Sequence, residues 1–232
     1  MNVTRPYYVS REPIAEQLIE HRYVESPEDP TPWLGGTTEA ALATPQFLLD
    51  RELFAMDLLR TGKLNRIRAR ALADVAVREA YTRKVPPALV LGVMLTENDE
   101  LKSSARSNVG AVGLMQVYPK VWLKALSKKF GSDLASDSTN LKYGIFILKQ
   151  YVKSDSGAVT SSDATKGLLR YNGCVHGTNT PNCKTYPSKV TKYVEQAGNA
   201  ICGDKSFVDC IAKPFIAGLL GKRENTPAAN TQ

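Results

Sequence analysis

The chain has 232 residues, 43% of them hydrophobic and 23% charged, which is enough to bury a core and ordinary for a globular protein. A formal net charge of +7 favours anionic partners such as nucleic acid, acidic membrane surfaces or cell-wall polymers. No helix-turn-helix core, RNP motif or zinc finger accompanies that charge, so no nucleic-acid partner is expected, and the apolar segment Ile211–Gly221, broken by Lys213 and Pro214, is too short to span a bilayer.

Residues 1–45 read as an extended arm, punctuated by Pro6, Pro13, Pro27, Pro30, Pro32 and Pro45, with a turn at Gly35-Gly36 and a short helix over Ile14–Tyr23. Charges and prolines run through the first 35 residues without an apolar h-region, so no signal peptide is read there. Residues 46–85 form a helical extension. Phe47, Leu48, Phe54, Leu58 and Leu59 fit one amphipathic helix that ends near Gly62. Leu64, Ile67, Leu72, Val75, Ala76 and Tyr81 fit a second, whose other face carries Arg66, Arg68, Arg70 and Arg78. A basic face of this kind reads as solvated by default.

Pro86-Pro87 fit the first turn of the next helix, where no intrahelical donor is needed. The run Ala88–Leu95 predicts a helix buried on most sides. Glu97 follows on the face set by Val90, Val93 and Met94, near the helix C-terminus. Burial and the negative end of the dipole both raise a carboxyl pKa, which is the tuning a general acid needs at neutral pH. A polar segment leads to Gly110-Ala111-Val112-Gly113 and then to the apolar Leu114-Met115 and Gln116, with Met115 read as core.

Further on, Val121–Phe130 reads as an amphipathic helix with Lys124, Lys128 and Lys129 outward. Gly131–Ser138 is a loop, and Thr139 or Asn140 is expected to cap a helix over Leu141–Val152. After the polar connection Ser154–Ser162, Asp163 is expected to cap Ala164–Tyr171. Gly173–Pro187 reads as a long loop and Ser188–Ala200 as a helix, followed by a C-terminal segment, 201–232, whose last residues have a disordered composition. Strand signals are scarce and no repeat is evident, so the fold class is mainly α.

The four cysteines, Cys174, Cys183, Cys202 and Cys210, allow three pairings. Loop-closure entropy favours Cys174–Cys183 and Cys202–Cys210; four reduced, half-buried thiols are the alternative. No C-x₂-C spacing supports zinc, and His21 in the arm and His176 in the loop fit no hydrolase triad. No metal or cofactor is expected.

An acid closing an apolar helix, then SxxGAxGLMQ at Ser107–Gln116, then Tyr171-Asn172, resembles the catalytic domain of the soluble-type lytic transglycosylases, relatives of goose-type lysozyme that cleave peptidoglycan. The resemblance covers Pro86 to Ala197, and GAVGLMQ is its most specific part. It implies a lysozyme-like helical domain over 86–200 acting on glycan strands in the periplasm or cell envelope, secreted or virion-associated. Envelope or virion proteins are candidate partners of the arm.

The resemblance also implies roles. Glu97 would act first as acid and then as base, cleaving the MurNAc–GlcNAc β-1,4 bond with 1,6-anhydro product formation and no water. Ser107 would support the carboxyl or the substrate. Gln116, Tyr118, Tyr171 and Asn172 would line the cleft, and Tyr193 would point towards Glu97. Departures from the family pattern are Asn98 where serine is usual, a longer spacer before Gly110, Tyr118 where methionine often follows LMQ, and Arg170 in place of the alanine of AYN. A lysozyme-like muramidase, with Asp99 or another acid positioning a water, and a non-catalytic glycan-binding or virion module are the alternatives.

Overall fold

The computed structural model describes residues 38–152, 161–174 and 183–212. The arm up to residue 37, its helix at Ile14–Tyr23, most of the 154–162 connection, most of the Gly173–Pro187 loop and the tail lie outside the described residues. Ten α-helices occur among the described residues: α1 (Thr38–Leu42), α2 (Pro45–Arg60), α3 (Arg66–Arg83), α4 (Pro87–Glu97), α5 (Pro119–Phe130), α6 (Asp137–Tyr151), α7 (Ser161–Tyr171), α8 (Tyr186–Ala197), α9 (Asn199–Cys202) and α10 (Phe207–Ala212). No strand is found among them; the nearest features are two isolated antiparallel bridges, Arg106 with Val112 and Val112 with Val117. The class is mainly α. Among the described residues no helix is long and apolar enough to cross a membrane.

Local chemistry sets the helix starts. The Thr44 hydroxyl caps α2 by accepting from the Phe47 N–H at 3.2 Å, with Pro45 behind it. The Asn65 side chain caps α3 by accepting from the Arg68 N–H at 2.9 Å. Every residue of α4 from Pro87 to Leu95 is buried, as the unbroken apolar run requires. Around α4 pack α2, α3, α8, α9 and α10 in one continuous core, so residues 46–85 share their apolar interior with the helices that follow Pro86. The side of Gly92 lies so close to α8 that a Cβ there would stand 2.5 Å from Val194 Cγ2, and only glycine permits this approach. A second, smaller core joins α5, α6 and the chain between α4 and α5, built from Val112, Val117, Leu126, Leu134, Tyr143 and Ile147.

Several expectations change in three dimensions. Ile67 is 84% exposed and does not belong to the apolar face of α3, because the buried side runs through Ala69, Leu72, Ala73, Ala76, Val77, Ala80 and Tyr81. Asn140 caps nothing: α6 begins at Asp137, and Asn140 is buried inside it. Likewise α7 begins at Ser161, which puts Asp163 in its first turn rather than at its cap. The helix read at Ser188–Ala200 begins instead at Tyr186 and ends at Ala197. On the basic face of α3, Arg68 bonds Asp137, the Leu101 carbonyl and Ser103, while Arg70 pairs with Glu52 and Arg78 with Asp74. Arg68 and Arg70 thereby join α3 to neighbouring segments, whereas the Arg78–Asp74 pair lies within α3.

A buried carboxylate also joins distant segments. Asp57 of α2 is fully buried and accepts from the Ala200 and Ile201 N–H groups of α9 at 2.8 and 2.9 Å. Asp57→Ala strands those donors, and we expect a loss of about 2–4 kcal/mol in denaturant unfolding. A loss below about 0.5 kcal/mol would contradict that role.

Candidate active site

The site is built where α4 ends. Asn98 terminates the helix, its backbone extended at φ −156°. The Asn98 side-chain amide then holds the chain that follows: Nδ2 donates to the Lys102 carbonyl at 2.7 Å and the Gly113 carbonyl at 3.2 Å, and Oδ1 accepts from the Lys102 N–H at 3.2 Å. The end of α4 and the GAVGLMQ segment are thereby fixed against each other.

GAVGLMQ is itself folded around Asn140 of α6. Asn140 Nδ2 donates to the Val112 and Leu134 carbonyls at 2.8 and 2.9 Å, and Oδ1 accepts from the Met115 N–H at 2.8 Å. Gly113, at φ +82°, packs its open side on that amide, so a Cβ would overlap it. Ser107 lies in the same segment and its Oγ accepts from the Ala111 N–H at 3.0 Å, closing the turn before Gly113. Gln116 sits at φ 44°, in the left-handed region that costs a non-glycine residue energy, and its Nε2 donates to the Gly113 carbonyl at 2.9 Å. Tyr118 stands at the N-cap of α5, where its carbonyl accepts from Val121 and Trp122.

Two tyrosines reach this floor from the far side. The Tyr171 hydroxyl, at the end of α7, donates to the Met115 carbonyl at 2.8 Å. The Tyr186 hydroxyl, at the start of α8, donates to Glu97 Oε1 at 2.5 Å. Glu97 keeps partial exposure, and burial of its carboxyl pushes its pKa up to about 7 while the Tyr186 bond pulls in the opposite direction. Tyr171 and Tyr186 both titrate well above the ordinary tyrosine range, first because they are buried and then because they face Glu97. The carboxyl is therefore poised between its two forms at neutral pH.

The remaining residues singled out in the sequence fall around this centre. Asn172 follows Tyr171 and donates through Nδ2 to Cys174 Sγ at 3.4 Å. Tyr193 lies farther along α8, where burial and then the neighbouring Asp99 carboxylate raise its pKa. The tyrosine on the Glu97 carboxyl is Tyr186, in the place expected for Tyr193. Glu100 pairs with Lys63 at 2.5 Å on the surface. The cysteines pair as closure entropy predicts, Cys174 with Cys183 and Cys202 with Cys210. Among the described residues no group of three or more His, Cys, Asp or Glu side chains is arranged to hold a metal.

Sequence reasoning missed Tyr186 by leaving it in a loop that ran to Pro187. A signal was present: Pro187 fits a first helical turn as well as Pro87 does, which would start α8 at Tyr186. Asn140 was missed as a scaffold because a buried asparagine inside a helix has no local signature. For Tyr186→Phe we expect the Glu97 pKa to rise, since a bond that favours the carboxylate is lost, and activity at pH 7 to fall about tenfold, the cost of one charge-assisted hydrogen bond. A ¹³C NMR titration of the Glu97 carboxyl together with a rate measurement checks both.

A family model described as the Transglycosylase SLT domain matches residues 74–181. No curated protein matches the chain. Among solved structures, an inactive mutant of the lytic transglycosylase Slt from Pseudomonas aeruginosa is similar at 19% identity and a TM-score of 0.46, over 92% of this chain and 39% of that one. The chain spans about two fifths of that protein's length. From within α3 to just before Cys183, then, the chain matches the transglycosylase SLT domain.

Proposed function

We propose that the protein cleaves the β-1,4 bond between N-acetylmuramic acid and N-acetylglucosamine in peptidoglycan, forming a 1,6-anhydro end, with Glu97 as the single acid and base. The observation that carries this reading is the Glu97 carboxyl, poised between its protonated and ionised forms at neutral pH and bonded to a tyrosine hydroxyl that favours the ionised one. Glu97 gives its proton to the glycosidic oxygen as the bond to C1 breaks, and the bond electrons leave with that oxygen. Tyr186 then donates to the carboxylate that remains. That carboxylate takes the proton of the C6 hydroxyl as its oxygen bonds C1, which returns Glu97 to its protonated state. The nucleophile is part of the substrate and acts at high effective molarity, so no second carboxylate is required.

A second reading rests on Asp99. It is exposed, lies two residues beyond Glu97 and neighbours Tyr193, an arrangement that suits an acid placing a water for hydrolysis. Digestion of purified sacculi followed by mass spectrometry separates the readings. Anhydro ends, lighter than reducing ends by one water, support the first; reducing ends support the second; no soluble product leaves a non-catalytic glycan-binding module. A protein acting on this polymer works in the periplasm or cell envelope.

A further inference from the structure

Tyr171 and Tyr186, which frame the GAVGLMQ segment and Glu97, belong to different helices, and the chain between them is bridged close to both. Cys174 lies three residues after Tyr171 and Cys183 three residues before Tyr186, and the two cysteines are disulfide-bonded with their Cα atoms 5.6 Å apart. On one side the Cys174 N–H donates to the Leu169 carbonyl at 2.9 Å, fastening the disulfide to the end of α7. On the other, Cys183 is buried and opens a single 3₁₀ turn, Cys183–Thr185, that runs directly into α8 at Tyr186. The first residue of a helix is held by few bonds of its own, because helix ends fray. The Tyr186 hydroxyl nonetheless has to meet Glu97 Oε1 at 2.5 Å.

We propose that the Cys174–Cys183 disulfide is a positioning element of the site: it sets the start of α8 against the end of α7 and so holds the Tyr186 hydroxyl on Glu97. This rests on the reading of Glu97 as the acid and base. Its consequence is that activity depends on redox state. A dithiol reductant supplies two electrons and two protons, the S–S bond breaks, both sulfurs become thiols, and the reductant closes into its own cyclic disulfide. The covalent link between the end of α7 and the start of α8 is then only the intervening chain, and Tyr186, still packed in the core, is held on the carboxyl less tightly. The groups that face Glu97 are Tyr186 and Tyr171, and Tyr171 keeps its own bond to Met115.

A double-mutant cycle on the full chain tests this. In the intact protein Y186F costs about tenfold in rate, the value of one charge-assisted hydrogen bond. In C174S/C183S, assayed well below its melting temperature, we expect a rate already about tenfold lower and a further loss from Y186F below about twofold. In C202S/C210S, which removes the disulfide between α9 and α10, Y186F should keep its full cost. If Y186F costs the same in C174S/C183S as in the intact protein, the disulfide only stabilises the fold and the proposal is wrong. The pair C174A/C183V refills the buried position of Cys183 should the serines unfold the domain. The same cycle read through the ¹³C titration of Glu97, in C202S/C210S before and after dithiol reduction, needs no activity. There, a Y186F effect on the carboxyl pKa that survives reduction overturns the proposal, whereas an inactive wild type would overturn only the functional reading.

Discussion

Glu97→Gln lowers the release of soluble fragments from peptidoglycan by at least about a thousandfold, because the substituted amide neither gives nor takes the proton on which both steps depend. The same substitution makes the protein more stable at alkaline pH. The sign follows from the folded carboxyl, which holds its proton up to about pH 7 where an ordinary glutamate releases it near 4.5. Below pH 4.5 the group is protonated in both folded and unfolded chains, and the wild type suffers no penalty. Between 4.5 and 7 the unfolded chain ionises first, so the native state loses ground, and above 7 the loss is complete. A shift of this size corresponds to about 1–3 kcal/mol once the residual exposure of the residue is allowed for. We therefore expect Glu97→Gln to melt at the same temperature as wild type at pH 4 and about 3–8 °C higher at pH 8. Calorimetry at the two values checks this. Equal melting temperatures at pH 8 would mean that Glu97 ionises as freely as a solvated acid, and the argument for its role would go with it.

Asn140→Ala should cost about 3–5 kcal/mol, among the larger effects available in a domain of this size. The amide satisfies one donor and two acceptors that are all buried: the Met115 N–H and the Val112 and Leu134 carbonyls. Truncation leaves these unpaired and opens a gap beside Gly113, where the backbone has no side chain with which to fill it. Activity should fall together with stability, because Met115 carries the Tyr171 bond and precedes the strained Gln116. Denaturant unfolding measures the first effect, and rates taken well below the melting temperature measure the second. A variant within about 1 kcal/mol of wild type would show that water replaces the amide and that Asn140 does not organise the GAVGLMQ segment.

Local rules account for much of what was legible beforehand. The prolines at 86 and 87, the unbroken apolar run behind them and the charge at Glu97 lie within a dozen residues, and they set both the helix and the burial of its acid. The short spacing of each cysteine pair likewise made its closure the least costly. Ile67 shows where periodicity fails: an apolar residue one turn into α3 fits the pattern, yet nothing packs over that part of the helix and it faces solvent.

What had to wait for the folded chain is every contact between residues far apart in sequence. Tyr186 meets Glu97 across 89 positions, Tyr171 meets Met115 across 56, and Asn140 meets Met115 across 25. Side-chain hydrogen bonds of this range depend on where whole helices pack, and no window of sequence contains both partners. Helix type and the candidate acid were thus written locally in the amino acids. The choice of Tyr186 over Tyr193 as partner of that acid, and of Asn140 as anchor of its neighbouring segment, came from the packing of α6 and α8 beside α4 and the GAVGLMQ segment.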